Sequence, residues 1–184
     1  WFAQVPGLKV VAPSTPRDTL GLFKSAIRDD NPVICLFAKR LIGSSGAVPE
    51  EGEDFTLPIG RAEVRREGND VTIVAISTMV RAALVAAEDL AEQHGIEAEV
   101  IDVMSLSPLD AETVIASVKR SGKLAIVHEA HAPCGIGAEV IARVSEQAYG
   151  ALKAPPLRIT PPFAPSPFAP VLEKAYLPDA ARIC

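Results

Sequence analysis

Short apolar runs alternate with stretches where apolar residues recur every three or four positions, and this alternation organises most of the chain. Leu8–Ala12 is a mostly apolar run and predicts a strand. Thr15-Pro16-Arg17-Asp18 predicts a helix start: Thr15 can cap, Pro16 suits the first helical position, and Asp18 suits the positive end of the helix dipole. Leu20, Phe23, Ala26 and Ile27 form the apolar stripe, Asp30-Asn31-Pro32 stops it, and Val33–Phe37 predicts a second strand. From Ala38 to Pro58 the pattern vanishes. Gly43, Gly46, Pro49, Gly52 and Pro58 punctuate this stretch, and Glu50, Glu51, Glu53 and Asp54 make it acidic, most simply for solvation. A structureless loop of that length is uncommon inside a compact domain, so a linker is expected.

The pattern resumes with Arg61–Arg66, which alternates like a strand with one exposed face, and Glu67-Gly68-Asn69-Asp70 turns it. Val71–Ile76 predicts a buried strand. Ser77 or Thr78 starts a helix with Val80, Ala83, Leu84, Ala87, Leu90 and Ala91 inward, and Gly95 ends it. Glu99–Val103 predicts the next strand. Asp110 caps a helix carrying Val114, Ile115 and Val118 that ends at Gly122. Leu124–Val127 predicts a buried strand, Gly135–Tyr149 a helix, and Leu157–Thr160 a short last strand. Pro161–Pro178 holds too many prolines for regular structure, and Asp179–Cys184 looks like the start of a helix. The expected fold class is α/β: a mostly parallel sheet with helices on both faces over residues 59–184, preceded by one βαβ unit over 1–40 and a linker over 41–58. The βαβ unit is too small to bury a core alone. It is expected to end a larger sheet or to lean on the second domain.

Composition narrows the classes. The chain has 184 residues, 48 % of them apolar and 22 % charged, with net charge −5, which argues for a folded globular chain and against disorder. The acidic balance argues against a duplex-DNA partner, and no apolar run approaches the ~18 residues of a membrane span. Cys35, Cys134 and Cys184 are widely spaced and odd in number, as in a reducing compartment. Trp1 in place of Met, and a tail that opens a helix, lead us to expect a piece of a longer chain.

In open α/β sheets ligands bind beyond the carboxyl ends of the strands. That rule selects three loops: Ser77-Thr78-Met79, Met104–Pro108 (with Ser105 and Ser107), and His128–Gly135. The third holds two of the three histidines, and four readings of it stay open. His128, His131 and Cys134 have tight metal-ligand spacing, but on a loop and one residue short of the helical two-histidine pattern. Cys134 near a helix N-terminus, with either histidine as base, is a nucleophile candidate. Gly135-Ile136-Gly137 before a helix hints at anion or nucleotide binding, although Val140 stands where the fingerprint needs its third glycine. The local evidence favours the fourth, in which the loop shapes a rim and Gly135 and Gly137 permit close packing. Lys39 and Arg40 end the second strand, where they can meet an anionic ligand or simply begin a solvated linker. His94 sits at a helix end, where a cationic imidazole is comfortable.

The ordered set of segments closely resembles the β subunit of the E1 component of 2-oxo acid dehydrogenase complexes, including the acetoin dehydrogenase type. The residues that carry it are Val5–Ser14, Lys24–Val33, Pro58–Ala62, Gly68–Val74, Ser105–Asp110, Val127–Ala130, Gly135–Glu139 and Leu172–Pro178. The match spans essentially the whole chain, and transketolase shares the architecture more distantly. The resemblance implies a thiamine diphosphate enzyme that decarboxylates a 2-oxo acid oxidatively (or cleaves acetoin) and passes the acyl group to lipoamide. It implies that residues 1–40 end the pyrimidine-binding domain and that 59–184 are a transketolase C-terminal-like domain. It places thiamine diphosphate and Mg²⁺ mainly outside this segment, bound by an E1 α subunit or fused equivalent, and the activating Glu and catalytic His upstream of Trp1. The segment itself then has no catalytic residue and no metal site. It serves assembly with the α chain and a second β subunit, and shapes the entrance used by the lipoyl domain of the E2 core. Lys39, Arg40, His128, Glu129 and His131 are the entrance candidates, with Ser105, Ser107, Gly135 and Gly137 in strand-end loops. Phe37 stands where members commonly carry an acidic residue, and Ile42 where they carry Tyr. The chain stops before the C-terminal helix that helps dock the E2 core in some members. No nucleic-acid or membrane partner is implied, and the compartment is the bacterial cytoplasm or, less favoured, the mitochondrial matrix. The alternatives are a non-catalytic assembly module of the same fold and a small-molecule enzyme built on Cys134 and His128.

Overall fold

The computed structural model describes residues 1–184. Eight strands and six helices follow one another as β1 (Lys9–Val11), α1 (Pro16–Ile27), β2 (Val33–Cys35), β3 (Glu63–Arg66), β4 (Val71–Ala75), α2 (Met79–His94), β5 (Ala98–Asp102), β6 (Ser105–Ser107), α3 (Ala111–Ser121), β7 (Leu124–Val127), α4 (Ile136–Ala148), β8 (Leu157–Ile159), α5 (Pro170–Tyr176) and α6 (Ala180–Ile183). The helix signals work as their chemistry dictates. Thr15 and Asp18 close a reciprocal capping box on α1, Asp110 caps α3 through the Thr113 amide, and Gly95 and Gly122 end α2 and α3 in the left-handed conformation.

The large sheet has the order β3-β5-β4-β7-β8. Only β3 is antiparallel to its neighbour. The two-residue period of β4 divides the core. Ile73 and Ala75 face α2 and Ile183 of α6, whereas Val74 and Ile76 face α3 and α4, so helices cover both faces as expected. Each face buries a cluster of 13 residues.

The first βαβ unit does not close on itself. Its parallel pair β1–β2 gains a third strand, β6, which pairs antiparallel with β1 and comes from the second block. Ser105–Ser107 is therefore a strand where the sequence pattern predicts only a loop: three residues with two hydroxyls carry no readable alternation, and the long-range partner makes the strand. The local core is small, with Val11, Leu22 and Met104 buried.

The 41–58 segment is a strap along α1, not a free spacer. The Leu57 amide donates to Gly21 O at 3.2 Å, Ser25 Oγ donates to Leu57 O at 2.5 Å, and Arg17 lies over the Phe55 ring at 4.9 Å. A Cβ at Gly21 would stand 2.7 Å from both Leu57 and Phe55, so glycine is what lets the strap approach. The acidic run does more than meet solvent, since Asp54 pairs with Arg28 at 2.6 Å. The proline-rich tail departs from expectation too. Pro170 occupies the first turn of α5, where its missing amide costs nothing, and the helix continues to Tyr176. No helix is long and apolar enough to cross a membrane.

Candidate functional site

Strand β4 is followed by β5 on one side and, after α3, by β7 on the other, so the chain reverses direction across the sheet between β4 and β7. Open α/β sheets bind ligands in the crevice at such a point. A cleft of about 360 Å³ lies there. Its floor is Ile76 and Ser77 after β4 and His128–Ala130 after β7, and its opposite wall is Cys35–Ala38, the last residue of β2 and the three that follow it. The lining is mostly apolar. Ser77 adopts a positive φ of 52° and its hydroxyl donates to Pro13 O at 3.2 Å, tying the β4 loop to the first unit.

His128 is the buried polar group of the cleft, 2 % exposed, and neither ring nitrogen has a hydrogen-bond partner. Burial pushes its pKa below the usual imidazole range; the backbone at Ala130 opposes this and the positive Arg158 adds to it. The two candidate glycines pack around it: a Cβ at Gly137 would stand 2.5 Å from His128 Nε2, and one at Gly135 would stand 2.3 Å from His131 O. Glu129 reaches Arg40 at 3.4 Å across the mouth, joining the β7 loop to the short helical turn Lys39–Leu41, where Lys39 is exposed.

The other candidates are placed elsewhere. His131 Nε2 meets the Tyr176 hydroxyl at 2.7 Å and Ala164 O at 3.0 Å, with Phe163 edge-on, so it pins the tail to the loop. Ser105 donates to Pro108 O and Ser107 to Leu8 O, both serving β6. Cys134 is exposed on a residue with φ 56°, and His94 is exposed at the end of α2. His128, His131 and Cys134 do not gather as ligands, and no group of three or more His, Cys, Asp or Glu side chains is arranged to hold a metal ion.

A second polar cluster escaped the sequence reading. Ser14, Asp18 of α1, Arg65 of β3 and Asp102 of β5 meet in the seam between the first unit and the large sheet. Arg65 bonds both Asp18 and Asp102, the latter at 2.8 Å, and Ser14 Oγ donates to Asp102 at 2.5 Å. Burial works against the Arg65 charge, yet the two carboxylates hold its proton more tightly than usual. The available signal was Asp102 itself, which with Glu99 is one of two carboxylates in a strand buried throughout.

Comparison with known proteins places this geometry. Residues 60–183 match the family "Transketolase, C-terminal domain", and residues 1–44 match "Transketolase, pyrimidine binding domain". The chain belongs to the transketolase C-terminal domain family. The wall contributed by Cys35–Ala38 thus lies in the part that matches the pyrimidine-binding domain, and the floor in the transketolase C-terminal domain. The chain is 50 % identical over 182 residues to the β subunit of acetoin:2,6-dichlorophenolindophenol oxidoreductase of Cupriavidus necator, covering 99 % of this chain and 53 % of that protein. It is 43 % identical to the mitochondrial pyruvate dehydrogenase E1 β subunit of Chaetomium thermophilum, covering 100 % and 48 %. A solved structure described as a split-gene transketolase, inactive β4 tetramer, superposes with TM-score 0.79 at 30 % identity, covering 99 % of this chain and 56 % of that one. The chain thus spans about half the length of these relatives. Transketolase-type domains and such relatives imply a thiamine diphosphate-dependent enzyme. The cleft does not fit the diphosphate or its metal: no Lys or Arg is among its lining residues, and its one carboxylate, Glu129, is paired with Arg40.

Proposed function

We propose that this chain is the C-terminal portion of an E1 β-type subunit. The intact enzyme carries out oxidative decarboxylation of a 2-oxo acid, or acetoin cleavage, with acyl transfer to lipoamide. The observation that carries this reading is the 50 % identity over 99 % of the chain to an acetoin oxidoreductase β subunit. Residues 1–40 are the last βαβ unit of the pyrimidine-binding domain, 41–58 the connecting strap, and 59–184 the C-terminal domain. Thiamine diphosphate, with Mg²⁺, is held mainly outside these residues and supplies the carbanion-stabilising chemistry. The residues in hand wall the entrance. Lys39 and Arg40 on one side and His128 and Glu129 on the other form a rim that a lipoyl domain meets, and His131 fixes the tail beside it. The partners are an E1 α chain or fused equivalent, a second β subunit and the E2 core, in a bacterial cytoplasm.

The test is to express the full-length reading frame with its α chain and follow dichlorophenolindophenol reduction with pyruvate, branched 2-oxo acids and acetoin. Reduction is expected only with both chains and thiamine diphosphate present. No reduction with any of these substrates overturns the reading. The superposition on an inactive tetramer favours a second reading, a non-catalytic assembly module. Calorimetry distinguishes it: a stable complex by gel filtration with no heat of thiamine diphosphate binding selects the module.

A further inference from the structure

The seam between α1 and the β3–β5 edge concentrates charge. Arg17 and Asp18 enter from α1, Glu63 and Arg65 from β3, and Asp102 from the end of β5; the Ser14 hydroxyl and the Met104 sulfur complete the surroundings. Glu63 stands opposite Asp102 in the strand register and pairs at the rim with Arg65 at 3.0 Å and Arg17 at 3.4 Å. Inside the rim, Asp18 and Asp102 are both fully buried and share the one guanidinium of Arg65. The Oδ1 of each has no hydrogen-bond partner. One guanidinium, 14 % exposed, therefore serves two fully buried negative charges.

We propose that this cluster is a proton-sensitive latch, in which uptake of one proton by the carboxylate pair tightens the seating of the first βαβ unit on the large sheet. With both carboxylates ionised, two like charges compete for Arg65 away from water. Neutralising one leaves a matched ion pair. Asp102 is the group that takes the proton. Burial pushes its pKa up to about 6, the bonds from Ser14 and Arg65 oppose this, and the Asp18 charge adds to it. Burial also pulls Asp18 upward, but bonds from Arg65, Thr15 and Ser14 outweigh it and hold Asp18 below the usual carboxylate range.

The sign follows from linkage. With the first unit lifted away, Asp102 regains water and keeps Arg65 beside it, and both pull its pKa back toward the ordinary carboxylate value of 3.8. The seated state then binds more protons between about pH 4 and pH 6, so seating strengthens as pH falls through 6 and weakens as it rises. Asp18 has the opposite sign: its contribution is present above its ordinary pKa and is lost as protonation breaks its pair with Arg65, so seating weakens again below about pH 4. A difference of about two pKa units caps the Asp102 effect at about a hundredfold in the seating equilibrium. Because Cys35–Ala38 belong to the seated unit, the latch also sets the position of one wall of the cleft. The inference is independent of which substrate the enzyme uses.

The test uses the full-length protein. Amide hydrogen exchange of peptides from β1 and α1 is compared with peptides from β7 and α4 between pH 3.5 and 8, corrected for intrinsic rates. The expected ratio of protection rises as pH falls from 7 to 5 and drops below about 4. Asp102→Asn, neutral and nearly isosteric, is expected to show at pH 7.5 the protection that wild type reaches at pH 5, with a flat profile from 5 to 8. A flat wild-type profile, or a variant that keeps the wild-type pH dependence, overturns the latch. Should the variant not fold, the ¹³C titration of the Asp102 carboxyl in wild type decides: a midpoint near 6 supports the latch and one at or below 4 overturns it.

Discussion

The two regions of this molecule are held together by different physics. The large sheet is sealed by apolar burial on both faces, with 13 buried residues in each cluster. The first unit has three buried apolar residues in its own cluster, one of which, Met104, is lent by the second region. What it lacks in core it recovers through a borrowed strand, a shared guanidinium and a strap pinned along α1. Within residues 1–184 the first unit leans on its neighbour, whereas the large sheet with its helices has a core of its own.

That contrast breaks first in the cores. Ile126→Ala removes a fully buried side chain from an inner strand of the large sheet and is expected to cost about 2–5 kcal/mol, read from the urea midpoint of the main transition. Leu22→Ala deletes a comparable side chain from the first unit and is expected to loosen α1 in hydrogen exchange while moving the main transition much less. Equal shifts in the two variants would mean one cooperative unit and dissolve the distinction. A smaller effect probes the floor of the cleft. Gly137→Ala places a methyl 2.5 Å from His128 Nε2 and 3.2 Å from Ile126, an overpacking expected to cost about 1–3 kcal/mol in the large-sheet transition. The smallest is Thr15→Ala, which opens the capping box on α1 at about 1 kcal/mol, expected as faster exchange in α1 with β7 unchanged.

The same contrast governs what could be read in advance. The large sheet was legible because its strands alternate or run apolar at full length and its helices carry caps and stops: Leu124–Val127 is found where the pattern puts it, and α2 and α3 end at Gly95 and Gly122. The first unit was legible only as far as its local signals went. β6 is defined by its partner β1 and not by its own three residues. The strap reads as a linker because Phe55 and Leu57 are isolated among glycines and acids, and only their fit over Gly21 gives them a role. At the site, the switch-point rule found the His128 loop, but it could not separate His128, sealed under glycines, from His131, turned to Tyr176. Arg65 reads as the exposed side of an alternating strand. Its partial burial follows from the docking of α1, which no local pattern encodes.

The strand lent by the second region also orders events during synthesis. β1 and β2 leave the ribosome before β6, so the antiparallel side of β1 stays unpaired until the chain has been made as far as Ser107. By then β3, β4, α2 and β5 are already available to collapse. The first unit is therefore expected to become native only together with the β3–β5 half of the large sheet, and still ahead of β7 and β8, so the two regions mature interleaved and not one after the other.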